Sequence, residues 1–470
     1  MIPIARRIRR ARRPRGPRNM PRLLLTLLLT PTLVHASPAA PAPATSAEPP
    51  LTLSAAVERA LGRYPAVTAA RLRVAEATEA TGEVAASRGP ILKLNASALG
   101  YDDPMITSPI HSFHPAEIPP FGDTLAQGSL NVTYTLIDSG ARRERTRQAE
   151  AQEAAAGAAL SATEQAIAAR VAAAYAGALA RSEIFAAQQA RTEALTLELD
   201  RARQLFAVGK AAEVETLRAD AALAAAEAER TRAASARDSA ERDLARLLSA
   251  APEATRSGRL APWKTPAPRA ETRGELQALA VAAGPAVEQA RQQILAAEAA
   301  RGLARSAYFP KLDLVGALQE FREAESSYVT DWNAGVQLVV PLWDGGQTGR
   351  RVARAAAQRD TATALLAQSE LEAHEAVDRA LATLADAGAR ASALGRAADR
   401  LAEVARVQRL LLEVGSGTQV DYLAALAELA ATRASATEAR TAVLLSHVEL
   451  ARLAGELSPD WFRRTLEIAP

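Results

Sequence analysis

The pattern of apolar and polar positions changes character several times along the 470-residue chain, and the changes occur in the same order twice. A short helical pattern over residues 54–63 stops at Tyr64-Pro65, and a second over 66–86 stops before Pro90. Both stops follow from proline, which pushes the residue before it out of the α region. Two strand-like runs come next, at about 91–101 and 129–137. The second is the clearer: Leu130, Val132, Tyr134 and Leu136 alternate with Asn131, Thr133 and Thr135, the period of a strand with one apolar face. From Arg142 to Phe206 the pattern is helical and free of proline, with Ile167, Val171, Tyr175 and Leu179 on one stripe. At 1.5 Å per residue that helix is roughly 98 Å long. Val208-Gly209 interrupts it, and a second long helix completes a hairpin over 142–248.

Four landmarks show that the plan is duplicated. Tyr64-Pro65-Ala66-Val67 returns as Gly284-Pro285-Ala286-Val287, and Pro90 returns as Pro310, both 220 positions on. Asp138-Ser139-Gly140 returns as Asp344-Gly345-Gly346, and Val208-Gly209 as Val414-Gly415, both 206 positions on. The drop in offset assigns the first half about 14 extra residues, which fall on the Pro-, Gly- and His-containing stretch 102–127. The chain divides into a first repeat over 51–250, a linker over 251–270 with four Pro, a second repeat over 271–457 and a C-terminal tail over 458–470. In the second repeat the strands are expected at about 312–321 and 332–341, and the helical hairpin at 348–453.

Composition adds that the helices pack through small side chains, since 49% of residues are hydrophobic but only 4% aromatic. The first 36 residues have a different character. Nine Arg between Arg6 and Arg22, an apolar run over 23–34 and Val34-His35-Ala36 follow the order of a secretory signal. Met20-Pro21-Arg22 with the Leu run is by itself a complete short signal, so either Met1 or Met20 serves as start. A Pro/Ala-rich tether over 37–50 follows. Without the signal, Lys+Arg falls from 56 to 47 while Asp+Glu stays at 53, so the net charge becomes −6 rather than +3. A nucleic-acid partner loses its main support. The absence of Cys excludes disulfides and thiolate metal sites.

Strands of about ten residues are long enough to cross a bilayer when tilted. Four of them cannot close a barrel, and an open edge in lipid leaves backbone groups without partners. If they enter the membrane, other copies must complete the closure, and three copies supply 12 strands.

Several motifs carry a family resemblance. Each repeat has its part: Leu53-Ser54-Ala55-Ala56-Val57-Glu58-Arg59-Ala60-Leu61 with Tyr64-Pro65, the turn Leu136-Ile137-Asp138-Ser139-Gly140, the tip Phe206-Ala207-Val208-Gly209, and Val414-Gly415 followed by Val420-Asp421-Tyr422-Leu423. In order and spacing these resemble the TolC-type outer-membrane efflux proteins along nearly all of 51–457. The resemblance implies a mainly α fold with membrane β: a homotrimer whose 12-stranded barrel is continuous with a long α-helical coiled-coil tunnel. It implies a duct in the outer membrane of a Gram-negative bacterium, with its tunnel in the periplasm. The partners implied are outer-membrane lipid, a periplasmic adaptor and an inner-membrane pump, proton- or ATP-driven, which supplies the energy for efflux or type I secretion. No cofactor is implied.

Asp421 matches a family position that forms an acidic ring near the tunnel tip; Glu215 is its counterpart in the first repeat. The second Asp common three residues on is Ala424 here, so the ring is thinner. An Asp in a first helical turn also complements the helix dipole without further function. The tips Val208, Gly209, Lys210 and Val414, Gly415, Ser416, Gly417 are candidates for adaptor contact, although Gly alone is explained by a left-handed helix cap. Asp138 and Asp344 read as turn and capping residues. Arg142, Arg143, Arg350 and Arg351 follow them and sit near headgroups, near a lumen or on a solvated turn. His111 and His114 form an H-x-x-H with no further ligand nearby, which suits an exposed loop; His374 and His447 are isolated. Phosphate-loop, nucleophile-elbow and zincin motifs are missing, so an enzyme is disfavoured. The rivals are a periplasmic adaptor, which normally has one hairpin flanked by β domains, and a coiled-coil scaffold.

Overall fold

The computed structural model describes residues 50–106, 121–323 and 328–467. The signal, most of the tether, and His111 and His114 lie outside these residues. Helices α1 (Leu53–Arg63) and α2 (Pro65–Ala86) lead into strands β1 (Ile91–Ile106) and β2 (Phe121–Ile137), then α3 (Ala141–Ala207) and α4 (Glu213–Leu247). The second repeat has α5 (Arg273–Ala283), α6 (Pro285–Ser306), β3 (Lys311–Glu323), β4 (Tyr328–Val339), α7 (Gln347–Glu413) and α8 (Gln419–Leu453). Among the described residues no helix is long and apolar enough to cross a membrane.

The four strands form one antiparallel sheet in the order β1-β2-β3-β4. They are longer than the sequence suggests, at 16, 17, 13 and 12 residues. The excess of the first repeat is thus partly strand: β1 runs on to Ile106 and β2 begins at Phe121. The pattern hides this because Gly, Asp and Pro interrupt the alternation over 100–104, where the β1–β2 register also shifts. β4 begins earlier than expected, at Tyr328, and ends earlier, at Val339, because Pro341 cannot donate to a ladder.

α3 and α7 have 67 residues each, or about 100 Å of helix. α4 buries Ala219, Ala226 and Ala233 at seven-residue intervals, the spacing of a coiled-coil seam. With Ala at the seam, the paired helices can approach closely.

The main apolar core surrounds the middle of α3. Ile167, Val171 and Tyr175 pack there with Leu53 and Val57 of α1, Leu244 and Leu248 of the α4 end, and Leu444 and Val448 of α8. The Tyr175 hydroxyl lies 2.6 Å from the Leu51 carbonyl and 2.7 Å from the Ala261 carbonyl. Burial pushes its pKa up, so it stays protonated and can donate. Leu51 and Ala261 also take part in a short parallel bridge between the start of the first repeat and the linker: Leu51 N–H donates to the Arg259 carbonyl (2.6 Å) and Ala261 N–H to the Leu51 carbonyl (2.9 Å). The linker is therefore docked against the core.

The C-terminal tail that follows the second repeat joins the main core. It contains helix α9 (Pro459–Leu466), capped by the Ser458 hydroxyl. Trp461, Phe462 and Leu466 are buried in the main core, and Lys264 N–H donates to the Leu466 carbonyl at 2.8 Å. Eight residues are too few for a periodicity to declare itself, though Ser-Pro-Asp followed by Trp-Phe is a helix-start signature.

Candidate functional site: sheet faces, junction and hairpin tips

Strand register sorts the side chains into two unlike faces. Leu92 and Leu94 of β1 lie opposite Val132 and Leu130 of β2; these face Gly316 and Leu318 of β3, and Leu314 and Leu318 face Val336 and Trp332 of β4. Tyr134 and Leu338 share this face. Apart from the half-buried Val132, its large aliphatic and Trp side chains are 38–78% exposed in the single chain, far more contiguous apolar surface than water tolerates. The apolar stretch spans about seven residues per strand, or roughly 23 Å, close to the apolar band of outer-membrane barrels. Beyond it the same face carries Glu320 and Arg322, which mark where hydrocarbon would have to end.

The opposite face is polar in its middle. Lys93, Asn95 and Ser97 lie opposite Asn131, Ser129 and Gln127. Asp313 and Gln319 follow on β3, with Val315 and Ala317 as apolar exceptions, then Gln337 and Asn333 on β4. At the foot of this face Asp313 accepts from the Thr135 hydroxyl (2.7 Å) and pairs with Lys311 (2.9 Å). A sheet with one apolar and one polar face separates lipid from water. Among the described residues its outer strands β1 and β4 each have one edge without a partner strand.

Both strand-to-helix junctions are built alike. Gly140 and Gly346 cap α3 and α7 with φ of 88° and 85°. Asp138 accepts the Arg142 N–H at 2.7 Å, and Asp344 accepts the Thr348 N–H at 2.8 Å. Both aspartates thus do the capping expected of them. Arg142 also binds Asp138 through Nε, 3.1 Å.

The hairpin tips close with the same device. At the first, Gly209 takes φ 69°, Lys210 N–H donates to Leu205 (2.8 Å) and Gly209 N–H to Phe206 (2.9 Å). At the second, Gly415 takes φ 79°, Ser416 N–H donates to Leu411 (2.9 Å) and Gly415 N–H to Leu412 (3.3 Å). Each is a Schellman closure. Val208 and Val414 are 66% and 75% exposed beside them.

The starts of α4 and α8 differ. Thr418 caps α8: its hydroxyl accepts the Asp421 N–H (3.2 Å) and donates to the Asp421 carboxylate (2.7 Å). Ala212, in the equivalent place, offers no side-chain cap, and Glu215 N–H uses only the Ala212 carbonyl. Asp421 is exposed and Glu215 half-buried. No hydrogen bond joins the two among the described residues.

A link between the two hairpins is absent from the sequence reading. Arg201 of α3 donates to the Leu412 carbonyl at the end of α7, 2.8 Å, and lies 3.4 Å from Glu198. The buried Gln419 amide donates to Glu198 at 3.1 Å. Glu198 and Arg201 look like an ordinary i,i+3 pair, so nothing local to them signals a partner more than 200 residues away.

The fold has two hairpins, each preceded by two strands. A single-hairpin adaptor does not fit it, and a scaffold made only of coiled coil would lack the sheet. Among solved structures, VceC from Vibrio cholerae shares the fold with a TM-score of 0.71 at 18% identity, over 86% of this chain and 96% of that one. CmeC of Campylobacter jejuni, an outer membrane channel, gives 0.74 at 18%, over 86% and 85%. The open state of the Neisseria gonorrhoeae MtrE outer membrane channel gives 0.67 at 20%, over 87% and 90%. A comparison with curated proteins finds no match. The model of the outer membrane efflux protein family matches twice, over residues 56–250 and 276–456. The two matches fall on the two halves of the duplication, and the chain belongs to the outer membrane efflux protein family and is an efflux duct of the outer membrane.

Proposed function

We propose that three copies close their sheets edge to edge into one 12-stranded barrel, with the apolar face toward lipid and the polar face toward a water-filled lumen. The observation that carries this is the four-stranded sheet with unlike faces and two open edges. In hydrocarbon each unpaired edge group costs several kcal/mol, so a lone sheet cannot stay there. The long hairpins continue the lumen into the periplasm. Transport through the duct is passive and involves no catalysis: an inner-membrane pump, proton- or ATP-driven, hands substrate over through a periplasmic adaptor. Val208, Gly209, Lys210 and Val414 to Gly417 form the docking tips, and their exposed valines beside a rigid Gly closure support that role. Asp421, with Glu215 as a weaker partner, narrows the entrance as a ring of carboxylates. Residues 1–36 direct export.

The natural chain has no Cys, so engineered pairs can be read cleanly. Ser97 on β1 and a series of positions on β4 (Asp331, Asn333, Gly335, Gln337) are replaced by Cys in pairs and oxidised in intact cells. In the matching register, cross-linking yields monomer, dimer and trimer bands and stops there. A band beyond trimer, or no intermolecular cross-link anywhere in the series, rules out the closed trimer.

A further inference from the structure

Under the foot of the polar sheet face, between α3, α6 and α7, lies a concavity of about 850 Å³. Its sheet wall consists of Ile91, Thr135, Lys311 and Val339. All four project on the polar side of the register, so the concavity opens on the side assigned to the lumen. Its charged lining is lopsided. Arg142, Arg145, Lys311, Arg351 and Arg354 face Asp138 as the only acid among the lining residues. Arg142 is held by Asp138 and Lys311 by Asp313. Arg145, Arg351 and Arg354 are exposed and have no carboxylate within 4.0 Å among the described residues.

Helical geometry accounts for the convergence. Arg142 and Arg145 are three apart at the start of α3, and Arg351 and Arg354 are three apart at the start of α7, so each pair shares one face. Arg143 and Arg350 lie off that face and do not line the concavity. Both helices also begin here, and helix N-termini add positive potential. Beyond these helix starts, eight of the thirteen other arginines of α3 and α7 lie within 4.0 Å of a glutamate or aspartate carboxylate. At the passage from helix to sheet, by contrast, three guanidinium groups without a carboxylate partner converge on one concavity.

We propose that this junction is a guanidinium collar on the luminal wall that binds anionic groups, phosphate or carboxylate, of solutes passing into the barrel. Guanidinium suits both anions because its fork matches their paired oxygens. Repeated around the pore in the proposed trimer, on which this inference rests, the collar draws polyanions toward the exit and sets the ion preference of the barrel. It opposes in sign the carboxylates proposed at the far entrance.

The test uses the purified full-length protein in neutral-lipid planar bilayers, as wild type, as the triple variant Arg145→Gln/Arg351→Gln/Arg354→Gln, and as the corresponding triple Lys variant. In a KCl gradient the Gln triple shifts the reversal potential toward K⁺ relative to wild type, and the Lys triple does not. Tripolyphosphate added on the barrel side blocks the wild-type current, and block by the Gln triple needs about tenfold more. Equal reversal potentials and equal block for wild type and Gln triple overturn the collar. If wild type shows no conductance at all, the duct reading fails instead, and the collar is then judged by calorimetry of tripolyphosphate with the detergent-solubilised protein. Loss of bound phosphatidylglycerol in the Gln triple with an unchanged reversal potential places the arginines at headgroups and also overturns the proposal. A Gln triple that does not assemble is replaced by Arg351→Gln alone, for which a smaller shift of the same sign is expected and no shift counts against the collar.

Discussion

α3 and α7 are equal in length and start from the same glycine-capped turn, yet α3 buries eighteen of its residues and α7 seven. Their shared neighbours are equivalent: α1 and α2 with α4 for the first, α5 and α6 with α8 for the second. The difference is that α3 also packs along α6 and α8 of the other repeat, while the docked linker and α9 complete the same core. A duplicated sequence has thus been placed in two unlike environments. The first long helix is the structural centre, and the second keeps apolar side chains such as Leu371 and Leu365 on its surface. In the proposed trimer those positions are available to neighbouring copies.

The largest expected effect tests where the core lies. Phe462 of α9 is fully buried against the first repeat, so Phe462→Ala should cost about 3–5 kcal/mol. Leu276→Ala, in the smaller cluster of α5, α7 and α8, belongs near the low end of its class, about 2 kcal/mol. Urea unfolding of the detergent-solubilised protein measures both. Equal losses would contradict the claim that the first repeat carries the core.

A middle-sized effect compares two helix ends. The α4 end places Ser249 at φ 47°, and the α8 end places Gly455 at φ 72° in the equivalent position. Left-handed backbone costs a non-glycine residue about 1–2 kcal/mol, so Ser249→Gly should stabilise by up to about 1 kcal/mol once glycine's entropy is subtracted. The reverse change is not its mirror image. A Cβ at Gly455 would lie 2.6 Å from the Ala283 carbonyl oxygen. Gly455→Ser should therefore cost roughly 2–4 kcal/mol, strain and overpacking together. Melting temperatures of the pair decide it, and equal and opposite shifts would mean that Ala283 moves aside freely.

A smaller effect is expected at the tips. Thr418→Ala removes the α8 cap at about 1 kcal/mol, while Ala212→Thr creates a Thr-x-x-Glu box with Glu215 and should strengthen the start of α4 by a similar amount. Hydrogen exchange of the amides over 213–216 and 419–422 reports each end separately. Protection that stays unequal after both swaps would show that the asymmetry does not come from capping.

Most of the architecture is legible because its signals are long. Helices of 67 residues, prolines at the starts of α2 and α6 and a Gly at each tip stand out in one dimension, and the 220/206 offset exposes the duplication. The alternation in β2 also displays the two-faced sheet. What escapes notice depends on three dimensions. α9 is short, and its apolar residues become meaningful only against α1. The bond from Arg201 to the Leu412 carbonyl joins residues with no shared motif. At the junction, Arg142 and Arg351 stand out in sequence along with Arg143 and Arg350, but only register and helix face show that Arg145 and Arg354 are the ones that join them.

The smallest expected effect is a pH slope specific to the second repeat. His447 of α8 is buried where the first repeat has Glu241. Burial first, and the Arg269 charge second, push its pKa below the ordinary histidine value. Arg269 itself is held by Glu456 and Glu271, so it stays in place as His447 titrates. The folded protein then binds fewer protons at this site than the unfolded chain, whose histidine titrates near 6.5. By linkage the contribution is fully present above about pH 6.5 and is lost as pH falls toward the depressed folded value. Unfolding free energies measured between pH 7.5 and 5 should decline on acidification, and His447→Gln should flatten that decline. If the variant keeps the wild-type slope, the proton responsible is bound elsewhere, and this difference between the repeats is structural without being electrostatic.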